Sequence, residues 1–419
     1  IPMTLLEGMI LILFAMNTMR RAPSPCPPPQ GGRENLILAS PFTGEATPKA
    51  WVRVKPFVLP IFLFLLAATI SMFIAPDLRA AAGIWKAYFI EPVLFFLVFL
   101  TLVKTEQDRE YIITALGVSA LAVSTLAIYQ YFTGWEIPAP WLPEATRRVT
   151  SFYGYPNAVG LYLAPIIALA FGQLLHVLSF RRKPESRYVL IWIPCQARDD
   201  RWIIFWILVI ASSLAAIIFS RTEGAWIALP VGLLLSAFFI QKYRRTAGIL
   251  TILTVLTILT ISPLRTYILQ QFTFRGDSGA TRISIWKESF TMLKDHALLG
   301  AGLAGYQAAM TPYHKAKHIE IYLYPHNILL NFWSETGLLG LLAFLWLVAV
   351  VLLTSLKTKE LTSFPFLAAL LVLLIHGLVD VPYFKNDLAI LFWLLIALNL
   401  SSAGQQAHPY SPPHHLPQA

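Results

Sequence analysis

The chain is 419 residues long, 57% hydrophobic and only 13% charged. Soluble globular domains carry about one quarter charged residues, so this composition excludes an ordinary soluble domain and points to a polytopic membrane protein. The formal net charge of +10 is spread among loops rather than gathered in a stripe, and no nucleic-acid-binding motif is present, so no nucleic acid partner is called for.

Runs of about 17 to 25 apolar residues are long enough to cross a hydrocarbon core. They occur at 1–19, 57–75, 86–103, 111–131, 157–180, 203–219, 224–240, 247–263, 335–354, 364–381 and 387–402. The sequence therefore predicts an all-α membrane protein, a polytopic helical bundle of about eleven spans over residues 1–402. Short basic loops stay cytoplasmic. With the long segment 264–334 placed outside, the inside loops hold 19 of the 32 Lys and Arg residues and the short outside loops hold six, which sets the expected orientation. Eleven spans with an inside C-terminus put the N-terminus outside, and the chain opens on Ile1, so one N-terminal span is expected to be missing.

Two cytoplasmic inserts, 21–49 and 181–201, are too rich in Pro, Gly and charge to support a packed core and are expected to be low-order linkers, as is the tail 403–419. Cys26 and Cys195 lack the neighbours of a zinc site, and Asp199 with Asp200 lacks a surrounding globular domain, so neither pair is assigned a role. The outer segment is different. Ser278 can cap a helix whose Ile283, Trp286, Phe290 and Leu293 share one face, and such a helix is expected to lie on the bilayer or over the spans. GAGLAG at 300–305 has the letters of a dinucleotide fingerprint but follows no strand, so Gly300, Gly302 and Gly305 are read as turn residues.

The stretch YPHNILLNFWSETG at 324–337 places polar residues at the mouth of an apolar span. Pro325 suits a helix start, which puts His326 in or just before the first turn and Asn327, Asn331 and Glu335 on one stripe at i+4 steps. In a membrane such residues face the protein interior or a cavity and are functional by default. The positive end of a helix favours a neutral imidazole and attracts anions, a combination suited to a general base beside a phosphate. The plainer alternative is an interfacial histidine bonded to a loop carbonyl. Arg221 lies in a four-residue outer turn, Arg147 and Arg148 open another span ahead of Asn157, and Arg275 and Arg282 lie in the long outer segment. Each alone could be snorkelling to head groups. Together they form a set of forks that bind pyrophosphate bidentately and stay charged. His376 and Asp380 share a helix face in the span 364–381, where a satisfied contact between helices is expected rather than a proton relay.

On RRVTSFYGYPNAVGLYL, SRTEGAW, RISIWKESFTMLKDHALLGAGLAGYQ and YPHNILLNFWSETGLLGLLAFL, the chain from about residue 85 onward resembles the O-antigen ligase and polymerase family of bacterial envelope enzymes. The resemblance implies a glycosyltransferase of the polytopic C superfamily in the bacterial inner membrane, with its site facing the periplasm. The implied donor is a glycan on undecaprenyl pyrophosphate and the acceptor a glycan or glycolipid, with no cofactor and no metal. It further implies that His326, Arg221 and Arg282 are catalytic and that Arg147 or Arg148 faces substrate with Asn157, while Arg275 competes with Arg282 for its role. Asn327 and Glu335 complete the candidate substrate-binding set, although Glu335 suits a structural cap slightly better. The expected chemistry is proton abstraction by His326 from an acceptor hydroxyl, attack on the anomeric carbon with inversion, and departure of the diphosphate beside the arginines. A polymerase that joins repeat units shares this donor. A lipid flippase would also use intramembrane charge, but the chain has no internal repeat in matching halves.

Overall fold

The computed structural model describes residues 48–103, 105–180, 189–240, 243–273, 277–316, 320–358 and 364–402. The candidate span 1–19, most of the first insert, Arg275 and the tail lie outside the described residues. Within them the chain is helical, with no strand. In chain order the helices are α1 (Pro48–Phe73), α2 (Leu78–Leu102), α3 (Glu106–Thr133), α4 (Asn157–Phe180), α5 (Val189–Ser220), α6 (Glu223–Phe239) and α7 (Arg244–Thr260). After them come α8 (Ser262–Phe272), α9 (Asp277–Asp295), α10 (Tyr306–Met310), α11 (Ile328–Thr358), α12 (Phe364–His376) and α13 (Asn386–Ser402).

Among the described residues six helices are long and apolar enough to cross a membrane, namely α1 to α5 and α11. Three more, α6, α12 and α13, are apolar but shorter. The apolar run at 247–263 forms α7, whose Ile249, Ile252 and Leu253 are more than half exposed, and it breaks at Ile261 into α8. The second insert is not wholly irregular: α5 begins at Val189, so residues 189–201 continue a helix that sequence composition assigned to a linker. The apolar run VLIWI at 189–193 lets the span extend backward into that stretch, although Pro194 lies within it and helix interiors disfavour proline.

Local signals account for the ends that matter. Thr105 and Asp108 form a reciprocal capping box at the start of α3, and Gly134, with φ of +71°, closes its far end in the left-handed region. The buried centre is α4 with α12 and α13. Helix α4 packs against α5 and α12, and α12 also packs against α6. Glycines allow the close approach: Gly160 faces Thr222, Gly172 faces Pro365 and Gly232 faces Val372. A cluster of rings, among them Phe64, Phe89, Phe332, Tyr383 and Trp393, locks α1, α2 and α11 to the segment that leads into α13. At one end of the bundle the start of α4, the α5–α6 turn, the segment ahead of α11 and the α12–α13 turn meet through the hydrogen bonds of Arg148, Asn157 and Asp380.

The helix that carries most of the stretch 324–337 is interrupted. Gly337 has φ of +68° and ψ of −176°, so α11 breaks there. The 298–301 segment inserts its backbone at the break: the Leu298 carbonyl accepts from Leu338 N–H at 3.0 Å, and Ala301 N–H donates to the Ser334 carbonyl at 2.6 Å. A Cβ at position 337 would strike the Leu298 carbonyl, so both the conformation and the space demand glycine.

Outside the bundle, α9 packs against α10 and α11. Its buried residues are Ile285, Ser289, Met292 and Leu293, whereas Phe290 is 50% exposed. The buried face is thus turned from the one read in sequence, because Ser289 is satisfied inside by the Ile285 carbonyl and the Tyr306 hydroxyl. The helix also starts earlier than expected, at Asp277, leaving Ser278 within it. Gly300 and Gly302, with φ of +71° and +81°, make the turns of the GAGLAG stretch.

Candidate active site

His326 sits just ahead of α11 with φ of +48°, a conformation that a side chain other than glycine adopts at a cost of order 1 kcal/mol. Two neighbours impose it. Asn327 is the helix cap: its Oδ1 accepts from Leu329 N–H and Leu330 N–H at 3.0 Å each, and its Nδ2 donates to the Leu378 carbonyl at 2.9 Å. Trp286 of α9 donates to the Pro325 carbonyl at 2.9 Å. Between these fixed points the imidazole is walled by Tyr322 and Tyr324, both edge-on to it with centroids 5.1 and 4.9 Å away.

The partner of His326 is Asp380. The Nδ1 atom lies 3.3 Å from Oδ1 of a carboxylate whose side chain is 2% exposed. Asp380 also accepts from its neighbour Val381 N–H at 2.9 Å and from Asn157 Nδ2 at 2.8 Å. Burial alone would raise the carboxyl pKa, but the His326 hydrogen bond and the charges of His326, His376 and Arg282 outweigh it and hold the group well below the usual carboxylate range. An ionised Asp380 is an acceptor only, so Nδ1 is the donor of this contact, and the neutral tautomer it selects would present its lone pair at Nε2.

The chain of contacts continues to the arginines. Asn157, at the start of α4, accepts from Arg148 Nη2 at 2.8 Å. Arg148 in turn donates to the Ser220 and Arg221 carbonyls at 2.9 and 3.3 Å and lies 5.0 Å over the Trp141 ring. Arg221 is exposed, has φ of +52° and touches the Ala145 carbonyl at 3.4 Å. Arg282 of α9 donates from Nε to the Val379 carbonyl at 2.8 Å, one residue before Asp380. Burial lowers the Arg148 pKa, Glu223 and Asp380 oppose that shift, and the charges of Arg221 and Arg282 add to it, so three guanidinium groups and two carboxylates act on one another here. The excess of guanidinium groups suits an anion.

The sequence-derived candidates therefore divide. His326, Asn157, Arg148, Arg221 and Arg282 share one connected cluster, and Asn327 supports its backbone. Arg147 points elsewhere, to the Tyr131 and Leu142 carbonyls at 2.7 and 3.3 Å. Glu335 is 4% exposed and accepts from Ala304 N–H at 2.6 Å, a tie to the inserted loop away from the imidazole. Arg275 lies outside the described residues.

Asp380 was missed as a site residue. The sequence pattern put it on a helix with His376, but α12 ends at His376 and residues 377–380 form a turn. The stop was written in HGLVDVP, where a glycine follows the last helical residue and a proline comes five residues later. His376 itself stays in the bundle, 2% exposed and packed against the space beside Gly224.

A bundle of apolar helices, six of them long and apolar enough to cross a membrane among the described residues, has the make-up of a multi-pass membrane protein. Residues 207–345 match the family model described as O-antigen ligase, and that segment carries Arg221, Arg282 and His326. The match supports the O-antigen ligase family for this chain, and the family implies a glycosyltransferase-type enzyme. No curated protein matches the chain.

Proposed function

We propose that the protein is a ligase-type glycosyltransferase that moves a glycan from undecaprenyl pyrophosphate to a hydroxyl of lipid A-core or another envelope glycan. In this reading it resides in the bacterial inner membrane as a bundle of about eleven spans, and the arginine-bearing end faces the periplasm. His326 Nε2 takes the proton of the acceptor hydroxyl. The freed oxygen attacks the anomeric carbon from the face opposite the diphosphate, the C–O bond to phosphate breaks with inversion, and the diphosphate leaves with the bonding pair. Asp380 fixes the tautomer and steadies the imidazolium that forms. Arg221 and Arg282 stabilise charge on the departing group, while Arg148 is committed mostly to Asn157 and backbone carbonyls and shapes the turn that presents Arg221.

The observation that carries this reading is the unbroken path from imidazole to carboxylate to asparagine to arginine, assembled from segments as far apart in sequence as residues 148, 157, 326 and 380. A polymerase that joins repeat units would use the same donor half-site. The discriminating experiment supplies membranes containing the protein with labelled lipid-linked glycan and a separate acceptor. Label transferred to that acceptor supports the ligase, label extended on the donor lipid supports the polymerase, and movement of lipid across the bilayer without transfer would overturn both.

A further inference from the structure

Five residues beyond Asp380, the same connecting segment carries Lys385, immediately ahead of α13. Its Nζ lies 4.9 Å from the ring centre of Tyr153 and 4.6 Å from that of Tyr155. The residue is half-buried, and among the described residues its ammonium makes neither a hydrogen bond nor an ion pair. The Asp387 carboxylate lies nearby and its charge favours the ammonium, but it forms no direct ion pair with Lys385, and it accepts hydrogen bonds from the Tyr153 hydroxyl and the backbone N–H groups of residues 387 and 388. Burial lowers the Lys385 pKa below the ordinary lysine value. Two aromatic faces offset part of that desolvation but supply no acceptor, and an ammonium has three donors to place. A half-buried cation whose donors meet no acceptor is costly and marks a candidate ligand site.

The lysine is joined to the site through aromatic rings. Tyr155 shares a hydroxyl hydrogen bond with Tyr324, and the Tyr324 ring stands 4.9 Å from the His326 imidazole. Tyr153 and Tyr155 also precede Asn157, the residue that links Asp380 to Arg148. We infer that Lys385 is a further cation of this site and binds a phosphate-type anion of a substrate, its open donors held in place by Tyr153 and Tyr155. This rests on the ligase-type reading above. Two substrates could bring that anion: the donor through its diphosphate, or the acceptor through a phosphate on its own glycolipid.

The test uses the full-length protein in lipid nanodiscs as wild type, Lys385→Met, Lys385→Arg and His326→Ala, with inorganic pyrophosphate as competitor. Lys385→Met is expected to raise one KM about tenfold or more, the loss of a charged hydrogen bond, with kcat changed less. Lys385→Arg is expected to recover most of that loss. A raised donor KM with weaker pyrophosphate inhibition assigns the anion to the donor, and a raised acceptor KM alone assigns it to the acceptor. Unchanged KM values overturn the inference, as does a lower kcat with a lower Tm at constant KM, which would make the lysine a clasp on the 151–156 loop. His326→Ala keeps the two ideas apart. Loss of transfer there, together with unchanged KM values in Lys385→Met, removes the lysine alone, whereas normal turnover in His326→Ala removes the ligase-type reading.

Discussion

The outer and inner halves of the polar stretch 326–335 differ in what their polar atoms touch. At the outer half, His326 meets a carboxylate from another segment, and its second nitrogen is not consumed by the backbone. At the inner half, Glu335 is spent on Ala304 N–H, and the Ser334 carbonyl is spent on Ala301 N–H. Residue types alone do not separate a reactive group from a structural one on such a helix. The separation comes from whether the chain's own backbone already satisfies the group.

The half of the stretch that carries His326 should respond in catalysis. Asp380→Asn should depress transfer severely, up to about 10⁴-fold, because an amide permits the wrong histidine tautomer. Single-turnover assays on purified protein check this, and retention of half the wild-type rate would make Asp380 a packing residue. Arg221→Ala and Arg282→Ala should each cost about 10² to 10³ in kcat, the usual loss for one preorganised charge donor. Arg147→Ala, measured beside them, should stay within about threefold of wild type, since its guanidinium is occupied by the Tyr131 and Leu142 carbonyls.

The inner half should respond in stability instead. Glu335→Ala leaves the Ala304 N–H without its acceptor, a loss of about 1 to 3 kcal/mol that thermal unfolding in nanodiscs would register. Glu335→Gln keeps an acceptor oxygen, and its turnover per folded molecule should match wild type. A large kcat loss in Glu335→Gln at unchanged Tm would place this carboxylate in the chemistry after all. Gly337→Ala should likewise lower Tm, by about 1 to 3 kcal/mol in stability, through strain at φ of +68°.

Much of this was legible in the sequence. Apolar runs located the helices, six of them long and apolar enough to cross a membrane among the described residues, because a helix that satisfies its own backbone is the economical way through lipid. His326 and the arginines stood out because charge at a membrane helix mouth is rare. Asp380 did not, since its role depends on where α12 stops: the apolar run reached 381 but the helix ends at His376, and that five-residue difference moves the side chain from the bundle into the site. Gly377 and Pro382 flanked that end and were the available signal. The break at Gly337 was also hidden: nothing in SETGLLGLL reveals that a loop from residues 298–301 will insert there. Lys385 was hidden for a third reason, since its half-buried place over two aromatic rings depends on Tyr153 and Tyr155, which are distant in sequence.

The central claim is that the His326 imidazole is the base that starts glycan transfer. Its most direct test is the single-turnover rate of His326→Ala in membranes given saturating lipid-linked donor and acceptor. The account predicts a fall of about 10² to 10⁴ with donor binding and Tm preserved. A rate within a few fold of wild type would contradict it.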